Sequence, residues 1–229
     1  MRLFCLPFAG GSASAYYNWS NYISDMIILD PIELKGRGKR FNEPFYSNFE
    51  EVIEDVCCYI SDTNDNNDYA IFGHSMGSLI AYEVYYKIQE SNFKKPKHLF
   101  FSSYRAPHNK KNNHINKLTD QDLINRIRSL GGTQEELLQN EEFLDIYLPI
   151  IRNDFELIDS YIFRKKANQI LCDITLLYGN EEMLKFEDML DWQSHAQGKS
   201  TVYELEGNHF YINNNVEKIS DILNRTLLE

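Results

Sequence analysis

The segment YAIFGHSMG, residues 69–77, carries the clearest indication of the fold of this chain. Its first four residues form an apolar run of strand length, and apolar residues recur at helical spacing after Met76. Between them, Gly73-His74-Ser75-Met76-Gly77 matches the pattern G-x-S-x-G. In this strand–turn–helix context the pattern predicts a nucleophile elbow, a tight turn that presents Ser75 to a substrate. Glycine is expected at Gly73 and Gly77 because a side chain two residues from the serine would crowd the turn.

Short apolar runs alternate with amphipathic stretches along the rest of the chain. Strands are predicted at residues 2–6, 26–30, 69–73, 97–102, 173–178 and 201–205, and helices at stretches such as 48–61 and 76–91. Strands that alternate with helices favour an α/β fold with a mostly parallel central sheet and helices on both faces.

The alternation stops between about residues 110 and 165. Three helical stretches follow one another there without a strand, at residues 119–130, 133–139 and 141–161. A helical block inserted into an α/β sheet usually covers a site as a lid, although additional packing helices are the alternative. We therefore expect one domain over residues 1–229, with a lid insertion at about 110–165.

A serine hydroxyl is a weak nucleophile, so the elbow requires a base. Among six histidines, His209 follows the last predicted strand in a loop that enters the final helix, which is where an α/β-hydrolase carries its base. His74 lies inside the elbow, and its side chain is expected to point away from the reacting face of the serine. The remaining histidines begin a strand or lie in polar surroundings: His98, His108, His114 and His195. The alternative for His209 is a non-catalytic loop histidine.

The acid of such a triad is expected at the C-terminal end of the penultimate strand. Gly179 ends that predicted strand, and Glu181 and Glu182 follow it. The task of the acid is to hold the imidazole tautomer and to stabilise the imidazolium, which either glutamate could do. The position of the strand alone does not choose between them.

An oxyanion hole needs backbone N–H groups close to the nucleophile. The N–H of Met76, at the start of the elbow helix, is one candidate. The segment Pro7-Phe8-Ala9-Gly10-Gly11 leaves the first strand as a flexible turn, and the amide of Ala9 is the best second candidate. A phosphate-binding loop is the alternative reading, but the lysine and the glycine spacing of the known phosphate motifs are absent.

Composition limits the classes of function. The 229 residues carry a net charge of −11, which argues against nucleic-acid binding because phosphate contacts need concentrated Lys and Arg. No apolar run is long enough to span a membrane, and the chain enters a short strand without a signal-like segment, so a cytoplasmic location is expected. The cysteines show neither metal-binding spacing nor a disulfide framework: Cys5, Cys57, Cys58 and Cys172.

The sequence as a whole resembles the external, or type II, thioesterases of nonribosomal peptide and polyketide synthetases, most closely that of the surfactin system. The similarity runs nearly end to end and is carried by Leu6–Gly11, Gly73–Gly77, Ser102–His108, Leu130–Leu138, Leu148–Asp154, the Trp192 region and Gly207–Phe210. The first of these segments and the stretch at 130–138 are more specific than G-x-S-x-G, which any esterase could carry.

The resemblance implies a role for individual residues. Ser75 would be the nucleophile and His209 the base, and the amides of Ala9 and Met76 would be the oxyanion donors. The activity implied is hydrolysis of acyl thioesters from the phosphopantetheine arm of carrier proteins, which clears misprimed or stalled groups. No metal or diffusible cofactor would be needed, the partners would be carrier-protein domains, and the enzyme would work as a monomer.

The resemblance also selects the acid. The family has an aspartate three residues after the glycine that ends the strand and ten before a tryptophan. Glu182 lies three residues after Gly179 and ten before Trp192, which favours it over Glu181. A glutamate here, and Asn208 where the family has a second glycine, are departures from the pattern. Another acid, or none, is the alternative.

Two other functions are compatible with the same residues. An esterase or lipase acting on free small esters would use the same triad, and a non-catalytic binding relative would keep the fold.

Overall fold

Among the residues that the structure describes, six strands form one central sheet. The computed structural model describes residues 1–64, 67–91, 93–111 and 118–229. In these ranges the strands, labelled β1 to β6 in chain order, are Arg2–Leu6, Ile28–Pro31, Tyr69–His74, His98–Ser102, Asp173–Gly179 and Ser200–Leu205. They lie in the order β2-β1-β3-β4-β5-β6, and every neighbouring pair is parallel. The predicted α/β fold with a mostly parallel sheet is confirmed.

Helices occupy most of the connections between these strands. In chain order, α1 to α7 are Phe49–Thr63, Met76–Gln89, Asp120–Leu130, Glu135–Leu138, Glu141–Ser160, Phe186–Leu190 and Val216–Leu228. Each predicted boundary of a strand or helix lies within two residues of the observed one. The strand predicted at 26–30 is β2, which ends on Pro31; a proline is tolerated there because β2 is an edge strand.

The inner strands β3 and β4 are buried on both faces, which is why their sequences are nearly continuous apolar runs. On β1, Phe4 and Leu6 pack into one core cluster, and Leu3 and Cys5 pack into the other. The first cluster includes apolar residues of α1, α2 and α5, and the second includes residues of α7 and of the 3₁₀ segment Ala13–Asn21. Helices therefore cover both faces of the sheet.

The helical block predicted between β4 and β5 consists of α3, α4 and α5; residues 112–117 of the predicted insertion, including His114, lie outside the described residues. The Thr119 side chain caps α3 by accepting a hydrogen bond from the Asp122 amide. Gly131, with a φ of +79°, ends the helix. Pro149 divides α5 into a first half of exposed and half-buried residues and a second half in which most residues are buried.

The described residues contain no helix that is long and apolar enough to cross a bilayer. All four cysteines are free.

Candidate active site

The elbow between β3 and α2 holds Ser75 in a backbone conformation that side-chain-bearing residues rarely adopt. Ser75 has φ 54° and ψ −117°. A Cβ atom on Gly73 would lie 2.1 Å from the Gly77 carbonyl oxygen, and one on Gly77 would lie 2.2 Å from the Leu6 carbonyl oxygen. Close backbone approach therefore leaves no room for a side chain at Gly73 or Gly77.

Polar contacts fasten the elbow to β4. The Ser75 amide donates to the Ser102 carbonyl at 2.7 Å. The Ser78 hydroxyl, buried in the first turn of α2, approaches the carbonyl oxygens of Gly73 at 2.7 Å and of Ser102 at 2.9 Å. These contacts hold the strained turn in place.

His209 and Glu182 are joined by a hydrogen bond of 3.0 Å between Nδ1 and Oε2. The Glu182 side chain is 3% exposed and that of His209 is 17% exposed. A carboxylate can only accept, so Nδ1 carries the proton and Nε2 is left free to accept one. The contact thus selects the tautomer that a general base needs.

Two further donors hold the other oxygen of Glu182. Its Oε1 accepts from the Gly179 amide at 2.8 Å and from the Ser103 hydroxyl at 2.9 Å. Ser103 follows β4 directly and has a φ of +51°. With His209, three donors face one buried carboxylate, which fixes its orientation.

Glu181 has a different environment. Its residue is exposed, and its backbone amide donates to the Gly207 carbonyl at 3.0 Å. Glu181 and Glu182 both line the cavity that is described next, but the contact to His209 is made by Glu182.

Ser75 and His209 line the same cavity, which has a volume of about 430 Å³. Among the described residues, no hydrogen bond joins Ser75 to His209. The apolar part of the wall comes from the loops at the sheet edge and from the helical block: Phe8, Leu130, Phe155, Ile158, Met183, Leu184 and Phe210. Such a lining suits an acyl chain.

His74 lies behind His209 and is fully buried. Its Nδ1 is 2.7 Å from the Ser102 hydroxyl, which is 2.5 Å from the Tyr211 hydroxyl. The ring centroids of His74 and His209 are 5.2 Å apart. Burial lowers the pKa of His74 well below its ordinary value, so the ring is neutral.

Two backbone amides near Ser75 have no protein acceptor among the described residues. Ala9 lies in the turn after β1 and lines the cavity. Met76 is the first residue of α2, so its N–H has no partner within the helix. The neighbouring amides are used: Gly10 donates to Asp154, and Gly11 donates to the Phe8 carbonyl.

The other described histidines lie elsewhere. His98 begins β4, as predicted, and its Nε2 is 2.8 Å from the Thr175 hydroxyl. His195, expected in polar surroundings, lies 2.6 Å from His108 Nδ1 through Nε2 and 3.1 Å from the Tyr82 hydroxyl through Nδ1. Its ring also packs edge-on against Tyr82 and Phe163, and burial lowers its pKa to about 4. The described residues contain no group of His, Cys, Asp or Glu that could hold a metal ion.

A family model described as "Thioesterase domain" matches residues 1–227. The chain belongs to the thioesterase family. This thioesterase is 35% identical to the gramicidin S biosynthesis protein GrsT of Aneurinibacillus migulanus over 93% of its own length and 83% of the relative. It is 31% identical to the human medium-chain S-acyl fatty acid synthase thioesterase, over 92% of the chain and 80% of the relative.

Solved structures agree with the sequence relatives. The crystal structure of ClbQ from the colibactin NRPS/PKS pathway matches with a TM-score of 0.93 at 33% identity, and the match covers 99% of this chain and 96% of ClbQ. The resemblance to type II thioesterases and the α/β-hydrolase fold is confirmed.

Proposed function

We propose that this thioesterase hydrolyses acyl thioesters held on the 4′-phosphopantetheine arm of carrier proteins, as an editing enzyme of a nonribosomal peptide or polyketide synthetase. The observation that carries the proposal is the pairing of an elbow serine with a buried Glu182–His209 contact beside one apolar cavity. Its relatives include GrsT of gramicidin S biosynthesis and ClbQ of the colibactin pathway.

Ser75, His209 and Glu182 form the proposed triad. The Ser75 hydroxyl attacks the thioester carbonyl carbon while His209 Nε2 takes its proton. The C–S bond then breaks, and His209 gives the proton to the departing pantetheine sulfur. Water attacks the acyl-serine with His209 again as base, which releases the carboxylic acid and restores Ser75. Glu182 holds the imidazole tautomer and stabilises the imidazolium throughout.

The amides of Ala9 and Met76 are the proposed oxyanion donors. Neither has a protein acceptor among the described residues, and the Met76 amide also lies at the positive end of the α2 dipole. Gly73 and Gly77 supply the close backbone packing that the elbow needs.

We also propose that residues 1–229 form one hydrolase domain in which the helices of the 110–165 insertion act as a lid. Leu130, Phe155 and Ile158 bring this block to the cavity wall, so the pantetheine arm would enter beneath it. The enzyme would need no cofactor of its own, because the pantetheine belongs to the carrier protein. It would act as a monomer in the cytoplasm, where a synthetase presents its carrier domains.

A second candidate keeps the chemistry and changes the carrier. The similarity to medium-chain fatty acid synthase thioesterases of Homo sapiens and Anas platyrhynchos, at 31% and 33% identity, favours release of fatty acyl groups from the carrier domain of a fatty acid synthase.

The test compares carriers and bond types. Acetyl and octanoyl groups are loaded on the pantetheine arm of a peptidyl carrier protein and of a fatty-acid acyl carrier protein, and kcat/KM for thiol release is compared with that for the matching p-nitrophenyl esters. We expect the acetyl-loaded peptidyl carrier to be the best substrate and Ser75→Ala to be inactive. Preference for octanoyl on the fatty-acid carrier would support the second candidate. A large preference for free esters would overturn both.

A further inference from the structure

The chain after β1 makes a tight turn at the wall of the cavity. The Gly11 amide donates to the Phe8 carbonyl at 2.8 Å, and Gly10 has a φ of +79°. These are the features of a type II β-turn with Ala9 and Gly10 at its centre. Type I and type II turns differ by a rotation of about 180° of the central peptide unit, which here carries the Gly10 N–H. A group that binds this N–H therefore selects the form of the turn.

Asp154 of α5 is that group. Its Oδ2 accepts from the Gly10 amide at 2.7 Å. Arg37, in the loop after β2, contacts both oxygens of the same carboxylate at 2.5 and 2.6 Å. Arg37 also donates to the Gly11 carbonyl at 3.1 Å, so the pair holds the turn by two of its backbone groups.

Burial makes this contact specific. The side chains of Arg37 and Asp154 are 3% and 0% exposed. A buried carboxylate requires its cation and its hydrogen-bond donors, because none of them can be replaced by bulk water. The bidentate geometry further restricts how Asp154 can be oriented. The turn, the loop after β2 and the second half of α5 are thus fixed relative to one another.

We propose that Asp154, held by Arg37, is a positioning residue for the hydrolysis. By anchoring the Gly10 N–H and, through Arg37, the Gly11 carbonyl, it fixes the place of the turn and so of the adjacent Ala9 amide relative to the reacting carbonyl. The inference rests on the oxyanion role proposed for Ala9. Oxyanion donors act through short, directed hydrogen bonds to an atom that is charged only in the transition state, so a displaced turn lowers kcat without weakening substrate binding.

The position of Asp154 also connects the oxyanion turn to the helical insertion. Asp154 lies after Pro149, in the buried half of α5. Tyr147, before Pro149, packs over the same turn: a Cβ atom on Gly10 would lie 2.8 Å from its hydroxyl. One helix therefore contacts the turn through both of its halves.

The decisive variant removes both charges together. In Arg37→Met/Asp154→Leu no buried ion is left unpaired, a kind of replacement that folded proteins often tolerate, while the Gly10 amide loses its acceptor. Asp120→Asn is the matched control for Asp154→Asn. Asp120 of α3 pairs with Arg152 of α5 at 2.6 Å, and Arg152 also donates to the Leu118 carbonyl at 3.0 Å.

Two readouts separate positioning from general damage. One is the split between kcat and KM on an acyl-loaded carrier protein. The other is the affinity for octyl trifluoromethyl ketone, which forms a tetrahedral adduct with a serine, compared with the affinity for the corresponding unreactive thioether. We expect the double variant and Asp154→Asn to lose about 10²-fold in kcat, the size of effect seen when one oxyanion donor is removed. Ketone affinity should fall in parallel, with KM and thioether affinity unchanged, and Asp120→Asn should match the wild type.

A folded double variant with wild-type kcat and ketone affinity would overturn the inference. So would an equal loss of ketone and thioether affinity, which would indicate general damage to the cavity. If the double variant does not fold, Arg37→Lys decides, because it retains a cation beside Asp154 and loses the fork that reaches Gly11. That variant should show a smaller, parallel loss of kcat and ketone affinity, and wild-type values would refute the proposal. The ketone reacts with Ser75 whatever the natural carrier is, so failure of the carrier-protein assignment leaves this test intact.

Discussion

Replacing Glu182 by glutamine should nearly abolish turnover, because the substitution reverses the hydrogen bond to His209. In the wild type, Oε1 of Glu182 accepts from the Gly179 amide and the Ser103 hydroxyl, and Oε2 accepts from His209 Nδ1. Glutamine has only one acceptor oxygen. If that oxygen faces Gly179 and Ser103, the NH₂ group faces His209, which must then accept at Nδ1 and carry its proton on Nε2. A base protonated at Nε2 cannot take the proton of Ser75.

The opposite orientation of the glutamine is less favourable. It would place the NH₂ group against the Gly179 N–H, and each buried donor left without an acceptor costs about 1–3 kcal/mol. The tautomer reversal is therefore the expected outcome. On another fold the equivalent change of a triad aspartate to asparagine lowers kcat by about 10⁴, which corresponds to about 5.5 kcal/mol of transition-state stabilisation. We expect a fall of about 10³–10⁴ in kcat here.

The assay is single-turnover release of the carrier thiol from an acyl-loaded carrier protein, with circular dichroism to confirm folding. Glu181→Gln is the matched control, since it removes the same charge from the adjacent residue without touching His209. The kcat of Glu181→Gln should stay within about twofold of the wild type, because the charge of an exposed residue interacts only weakly with groups around it. A Glu182→Gln enzyme with kcat within about tenfold of the wild type, or an equal loss in Glu181→Gln, would refute the assignment of the acid.

Two further predictions concern the supports of this site. Ser103→Ala removes one of the two donors to Oε1 of Glu182 and leaves the Gly179 amide in place. Because a hydrogen bond to a charged group is worth about 1.5–3 kcal/mol, kcat should fall by about tenfold. An unchanged kcat would mean that the backbone amide alone orients the Glu182 carboxylate. Gly77→Ala would place its Cβ atom 2.2 Å from the Leu6 carbonyl oxygen, so we expect a loss of about 3 kcal/mol in the free energy of unfolding and a Tm lower by about 6–12 °C in a thermal melt. A melt that coincides with the wild type would contradict the close approach.

The sequence predicted the sheet and the elbow well because their signals are local. Apolar runs and helical spacing are read within a few neighbouring residues, and β3, α2 and α3 lie within two residues of the predicted ranges. The partners of the site were harder to find. Ser103 contacts Glu182 across 79 positions in sequence, and Ser102 contacts Tyr211 across 109. The available signal was the Ser102-Ser103 pair, which ends a buried strand and begins the loop after it, at the same sheet edge as the elbow.

Local sequence signals do not distinguish Glu181 from Glu182 as the partner of His209. Both follow the same strand, and only family resemblance separated them in the sequence. The structure supplies a physical reason. After Gly179 the chain turns back, so the Glu182 amide lies 3.3 Å from the Gly179 carbonyl and the Glu182 side chain returns to the Gly179 N–H. An aspartate on this backbone would end about 1.5 Å short of the same contacts. The longer side chain is accommodated because the carboxylate is anchored on the end of its own strand.

Sheet order explains why the residues of the site can meet at all. In a parallel sheet every strand ends at the same edge, and β3, β4, β5 and β6 are consecutive neighbours. The elbow follows β3, Ser103 follows β4, Glu182 follows β5 and His209 follows β6. Each strand therefore delivers one member of the site next to the member delivered by its neighbour. The Glu182 side chain needs to reach only one strand in either direction, to Ser103 on one side and to His209 on the other, and the three donors around it are a consequence of that order.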